Sequence, residues 1–212
     1  HLGLNLMKLD QVLPLFAEPI ALFTLKMDSQ DVLKEIKSLK FIPRVSDYSN
    51  AHDKYNYGSE SFDILSKGPH LKCLEAAITN ACEHFIKEIG EYKTDFRITN
   101  SWATKVKPGG YAARHYHANS WFSGVYYPVG DPAFAIRFHS PRKLAYDFQP
   151  LKFNVFNSMA WTCTAKDNLL ILFNSLLDHE VLTNQSKSTR YSIAFNVLPK
   201  GTIGKGDGHV KF

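Results

Sequence analysis

Pro108-Gly109-Gly110-Tyr111-Ala112-Ala113-Arg114-His115-Tyr116-His117-Ala118-Asn119-Ser120 reads as a tight turn, then a short strand ending in two histidines. Side chains alternate along a strand with period two, so His115 and His117 point to the same face. Two imidazoles on one face can chelate one metal ion. Outward from this stretch the pattern is one of short apolar runs and turns. Strands are predicted at 95–107, 110–116, 120–128, 134–139, 152–157, 168–174, 180–184 and 189–198, with Pro128-Val129-Gly130-Asp131-Pro132 as a second clear turn. Short strands at this spacing indicate a β-sandwich or barrel.

Upstream the periodicity differs. Pro19 to Leu25 reads as a strand opened by its proline. Asp28 or Ser29 can cap a helix to about Lys40, with Val32, Leu33, Ile36 and Leu39 at helical spacing. Residues 43–58 read as a long, aromatic, turn-rich loop. From His70 to Ile89, Leu71, Leu74, Ile78, Cys82, Phe85 and Ile89 form one apolar stripe, and Gly90 stands where a C-cap belongs. Helices first and strands afterwards give α+β order, mostly β, with the helices packed on one sheet. We read one domain: residues 1–94 as an N-terminal strand and supporting helices, 95–198 as the β core, and 199–212 as a flexible glycine-rich tail.

Composition narrows the function classes. With 212 residues, 44% of them hydrophobic, the chain can bury a full core. No apolar run approaches a membrane span, and His1 to Leu6 does not read as a signal peptide. Three cysteines without a CxxC pair fit reduced thiols in a cytoplasmic setting. A net charge of +5 without a basic run gives no footprint for nucleic acid.

A second chemical cluster is Asp178-His179-Glu180-Val181, closing the apolar run Leu169 to Phe173. A third imidazole there would complete a facial set with open positions opposite. Arg190 follows eleven residues after His179 and opens a strand in which Ser192 shares its face while Ile193 and Phe195 take the other. A guanidinium fork beside a hydroxyl suits one end of a dicarboxylic acid.

In this order, His115, then Gly124-Val125-Tyr126-Tyr127, His179-Glu180-Val181 and Arg190-Tyr191 resemble the 2-oxoglutarate/Fe(II)-dependent oxygenases, in particular their prolyl-hydroxylase-like branch and an uncharacterised bacterial and bacteriophage group. The resemblance spans residues 95–198 and implies a double-stranded β-helix core of jelly-roll or cupin-like type. It implies Fe(II) at His115 and His179, and 2-oxoglutarate held by Arg190, Tyr127 and Ser192. O₂ and 2-oxoglutarate would oxidise a peptide or protein side chain or a small metabolite, releasing succinate and CO₂. One position departs: where the family carries an acid two residues after the first histidine, this chain has His117. Either His117 is a third ligand or water or an anion takes that place. Two other readings compete: a three-histidine cupin-like dioxygenase that does not use 2-oxoglutarate, and a non-catalytic β-sandwich binding module.

Overall fold

The computed structural model describes residues 8–45, 52–143, 146 and 148–212, with backbone alone at 45 and 52–54. The N-terminal reading at residues 1–7 and the middle of the predicted 43–58 loop lie outside the described residues. Elements follow the order β1 (Ile20–Thr24), α1 (Ser29–Ser38), β2 (Phe41–Val45), β3 (His52–Ser59), α2 (Pro69–His84) with a π-helical turn at Phe85–Ile89, and β4 (Asp95–Val106). Then come β5 (Ala112–His115), β6 (Phe122–Tyr127), β7 (Ala135–His139), β8 (Ala160–Thr164), β9 (Leu169–Asn174), β10 (His179–Val181), β11 (Arg190–Lys200), β12 (Thr202–Ile203) and β13 (Val210–Lys211).

A seven-stranded sheet runs β1-β9-β6-β11-β4-β3-β2, and a four-stranded sheet runs β5-β10-β7-β8. From β4 to β11 the chain winds back and forth between them, which is the double-stranded β-helix. The sequence shows why both faces of the large sheet are buried. In β6, Phe122 and Tyr126 join the helix-side core while Val125 and Tyr127 join the core between the sheets. In β9, Leu170 and Leu172 take the first side, and Leu169, Ile171 and Phe173 the second. Gly124 is required on the helix side, because a Cβ there would collide with the Phe195 ring.

The two helices cover the outer face as expected, through Val32, Ile36, Leu71, Leu74, Ile78 and Cys82. Asp28 caps α1 through the amide of Gln30. For α2 the N-cap is Gly68, with no side-chain bond of its own; Glu35 from α1 instead accepts from the amides of His70 and Leu71 at 3.1 and 2.9 Å. Among the described residues no helix is long and apolar enough to cross a membrane.

Three expectations are corrected. The predicted loop over 43–58 contains the ends of β2 and most of β3; Pro43 is tolerated because β2 is a sheet edge. Residues 152–157 are turns, and the strand lies at 160–164. Although Phe153 and Val155 alternate like a strand, Asn154 and Asn157 bond backbone amides within the segment and fold it back. The expected tail closes as a β12–β13 hairpin.

Candidate metal centre

His115 ends β5, His179 begins β10, and the two are direct cross-strand partners, so pairing alone sets their rings 4.4 Å apart. His117 arrives differently from the sequence expectation. β5 stops at His115, and His117 lies in the following loop, its amide donating to the Ser175 carbonyl at 2.8 Å. Its ring stacks on His115 at 5.5 Å and lies 5.1 Å from His179. One ring nitrogen from each histidine lies within 4.8 Å of the others, and no acid belongs to this group among the described residues.

The hydrogen bonds of the three rings share one logic. Nδ1 of His115 meets the Ala113 carbonyl at 2.6 Å, Nδ1 of His179 the Leu177 carbonyl at 2.9 Å, and Nδ1 of His117 the Asn196 side-chain oxygen at 2.6 Å. Oxygens of this kind accept, so each Nδ1 donates and each Nε2 keeps its lone pair for a metal. Burial, reinforced by nearby His115, pushes the His179 pKa down to about 3. Burial also lowers that of His117, against the bond to Asn196. Neutral imidazoles are the form a metal takes.

Nearby acids are engaged elsewhere. Asp178 accepts from Arg114 at 2.6 Å, Glu180 lies 3.1 Å from His139, and Asp131 accepts from Ser186 and from the Ala133 amide. The donor set is therefore three imidazole nitrogens, a combination suited to a borderline divalent ion such as Fe(II).

Arg190 is 1% exposed, yet its Nη2 has no hydrogen-bond partner, and Nη1 reaches the Leu182 carbonyl only at 3.4 Å. Its guanidinium lies 5.8 Å from the Phe134 ring. Burial lowers its pKa, with Tyr127 opposing, but a guanidinium stays charged in a protein. Tyr127 is buried too; desolvation raises its pKa and the neighbouring Arg190 acts against that. A buried cation with an orphaned N–H is a fitting counterpart for a ligand carboxylate. Ser192 is buried two positions on.

Alternation along β11 ties these groups to the histidines. Ile193, Phe195 and Val197 enter the helix-side core, so Arg190, Ser192 and Asn196 take the opposite face. One face of one strand carries the orphaned guanidinium and the residue that grips His117. Sequence reasoning missed Asn196, although its parity with Arg190 and Ser192 was a usable signal. It also missed Ser123 and Ser175, for which no local signal exists. Trp102 borders the centre, 5.6 Å from the His117 ring, and Tyr111 is exposed. Val125 lines the space between the sheets with Tyr127.

Residues 100–196 match a family model described as a putative 2OG-Fe(II) oxygenase. No curated protein matches the chain. Among solved structures, it is similar to a prolyl hydroxylase from Trichoplax adhaerens in complex with a hypoxia-inducible-factor peptide fragment (TM-score 0.61, 13% identity, 84% of this chain and 83% of that one). It is similar to HygX from Streptomyces hygroscopicus with nickel, 2-oxoglutarate and hygromycin B bound (0.59, 9%, 86% and 83%). It also resembles SnoN, an α-ketoglutarate-dependent epimerase of nogalamycin biosynthesis (0.61, 11%, 85% and 78%). At such identities the likeness establishes the shared fold.

Proposed function

We propose that this chain, whose residues 100–196 match the putative 2OG-Fe(II) oxygenase family, is such an enzyme: it binds Fe(II) through His115, His117 and His179 and uses 2-oxoglutarate and O₂ to hydroxylate a second substrate. The observation that carries this reading is the convergence of three histidine nitrogens within 4.8 Å, each ring with its other nitrogen tied to an acceptor. When bound, the metal and co-substrate supply an oxidation in which 2-oxoglutarate and O₂ give succinate and CO₂ and one oxygen atom enters the substrate.

The chain's own residues bind, orient and exclude water. Arg190 takes the distal carboxylate of 2-oxoglutarate through its free Nη2, and the buried Tyr127, within electrostatic reach of Arg190, and Ser192 offer hydroxyls to the same group. Phe138 and Phe173 pack against the His179 ring at 5.9 and 4.8 Å and keep that side of the centre dry. The exposed side of His115 and the Trp102 edge leave the approach for substrate. Solved structures of this fold hold ligands as different as a peptide fragment and hygromycin B, so we assign a peptide side chain or a small metabolite. Three unpaired thiols suit the cytoplasm, where Fe(II) also stays reduced.

Anaerobic titration with Fe(II), with and without 2-oxoglutarate, tests the reading. A metal-to-ligand charge-transfer band is expected only with both present. Iron binding without that band would favour a three-histidine dioxygenase that does not use the keto acid, and absence of metal binding would leave only a binding module.

A further inference from the structure

We propose that Asn196 is the positioning residue of the third ligand: its side-chain oxygen locks His117 in the tautomer that turns an unprotonated Nε2 toward the metal. The proposal deepens the iron reading and rests on it for what Nε2 meets. His115 and His179 are oriented by backbone carbonyls within their own strands or turns, two residues away in each case. His117 has no such local acceptor, because it lies in a loop. Its partner comes from a strand remote in sequence.

Asn196 is held for the task. Its Oδ1 accepts from His117 Nδ1 at 2.6 Å and from Ser123 Oγ at 2.8 Å. Ser123 Oγ in turn shares a 2.7 Å bond with Ser175 Oγ, and both serines are fully buried. Ser175 also accepts the His117 amide through its carbonyl. One cluster on β6, β11 and the turn after β9 therefore fixes both backbone and ring of His117. β11 shifts register against β4 between Asn196 and Val197, the kind of irregularity that re-aims a side chain.

The orientation of the amide decides the chemistry. With Oδ1 toward the ring, Nδ1 carries the proton and Nε2 is bare. Reversed, the amide nitrogen would donate to Nδ1 and leave a proton on Nε2, facing the other two rings. In the first arrangement a neutral side chain fills the position the family gives to an acid. The fixed tautomer then replaces fixed charge as the source of affinity.

The test uses the full-length, metal-free protein labelled with ¹⁵N-histidine, and long-range ¹H–¹⁵N correlation spectra assigned with His117→Asn. His117 is expected as the Nδ1–H tautomer in the wild type, and finding Nε2–H overturns the proposal. Co(II) affinity, measured by chelator competition, is then compared across variants. Asn196→Leu should weaken it about 10–100-fold, and Asn196→Asp, which keeps an acceptor oxygen, should restore it. A folded Asn196→Leu protein with wild-type affinity, or an Asn196→Asp protein as weak as Asn196→Leu, overturns the proposal. If Asn196→Leu fails to fold, Ser123→Ala takes its place, and an unchanged His117 tautomer population there counts against the network. Wild-type protein that binds no metal sinks the iron reading while leaving the tautomer result intact, so the two failures are distinguishable.

Discussion

Replacing Arg190 with methionine separates what the guanidinium does for the fold from what it does for a ligand. In the free protein Nη2 is buried without a partner and the Nη1 bond is long, at 3.4 Å. An unmade bond at a buried group costs about 1–3 kcal/mol, offset by about 0.5–2 kcal/mol from the Phe134 ring at 5.8 Å. These nearly cancel, so Arg190→Met should change stability by no more than about 1 kcal/mol, roughly 2–4 °C in melting temperature for a chain this long. Co-substrate binding behaves otherwise. Truncating one partner of a buried charge pair costs about 2–5 kcal/mol, which corresponds to roughly 30-fold to several thousand-fold weaker binding. The assay is anaerobic 2-oxoglutarate titration of Fe(II)-loaded protein, paired with melting curves. At a concentration 100 times its dissociation constant, the ligand should stabilise the wild type by about 2.7 kcal/mol. The variant should gain no more than about 0.9 kcal/mol at that concentration. A variant that binds 2-oxoglutarate within about threefold of wild type, or one that melts many degrees lower without ligand, would refute the reasoning.

His117→Asp should retain Fe(II), whereas His117→Ala should lose it; equal loss in both, by chelator competition, would show that a carboxylate cannot take the place of the imidazole. Because a neutral third ligand leaves more positive charge at the centre, 2-oxoglutarate should tighten Fe(II) binding more in the wild type than in His117→Asp. Equal coupling in the two would contradict that charge argument. Gly124→Ala forces a Cβ into the Phe195 ring and should destabilise the fold by about 1–3 kcal/mol, read as a lower denaturant midpoint; an unchanged midpoint would mean that the ring yields freely. Glu35→Ala leaves the first turn of α2 without its borrowed acceptor and should cost about 0.5–2 kcal/mol in the same assay. If it costs nothing, water replaces the carboxylate at no loss.

How much was legible in the sequence depended on whether the signal was local. Period two in β11 separated Arg190 and Ser192 from Ile193 and Phe195, and the structure places them on opposite faces. The same period in β6 and β9 gave two buried faces from one apolar run. Where side chains compete with the backbone, the pattern misled: Phe153 and Val155 alternate, but asparagine bonds hold that segment in turns. Ala160 to Thr164, with no such pattern, is a strand because β7 lies beside it. His117 shows the same limit inside the site. The reading that it shares a face with His115 assumed a continuous strand, yet β5 ends at His115. What brings His117 to the centre is the Ser175 carbonyl and the Asn196 side chain, 58 and 79 residues further along the chain. No window of sequence contains that information. A loop histidine becomes a candidate ligand only after three strands have closed around it, so the residue that departs from the family pattern is also the one whose place depends most on the completed fold.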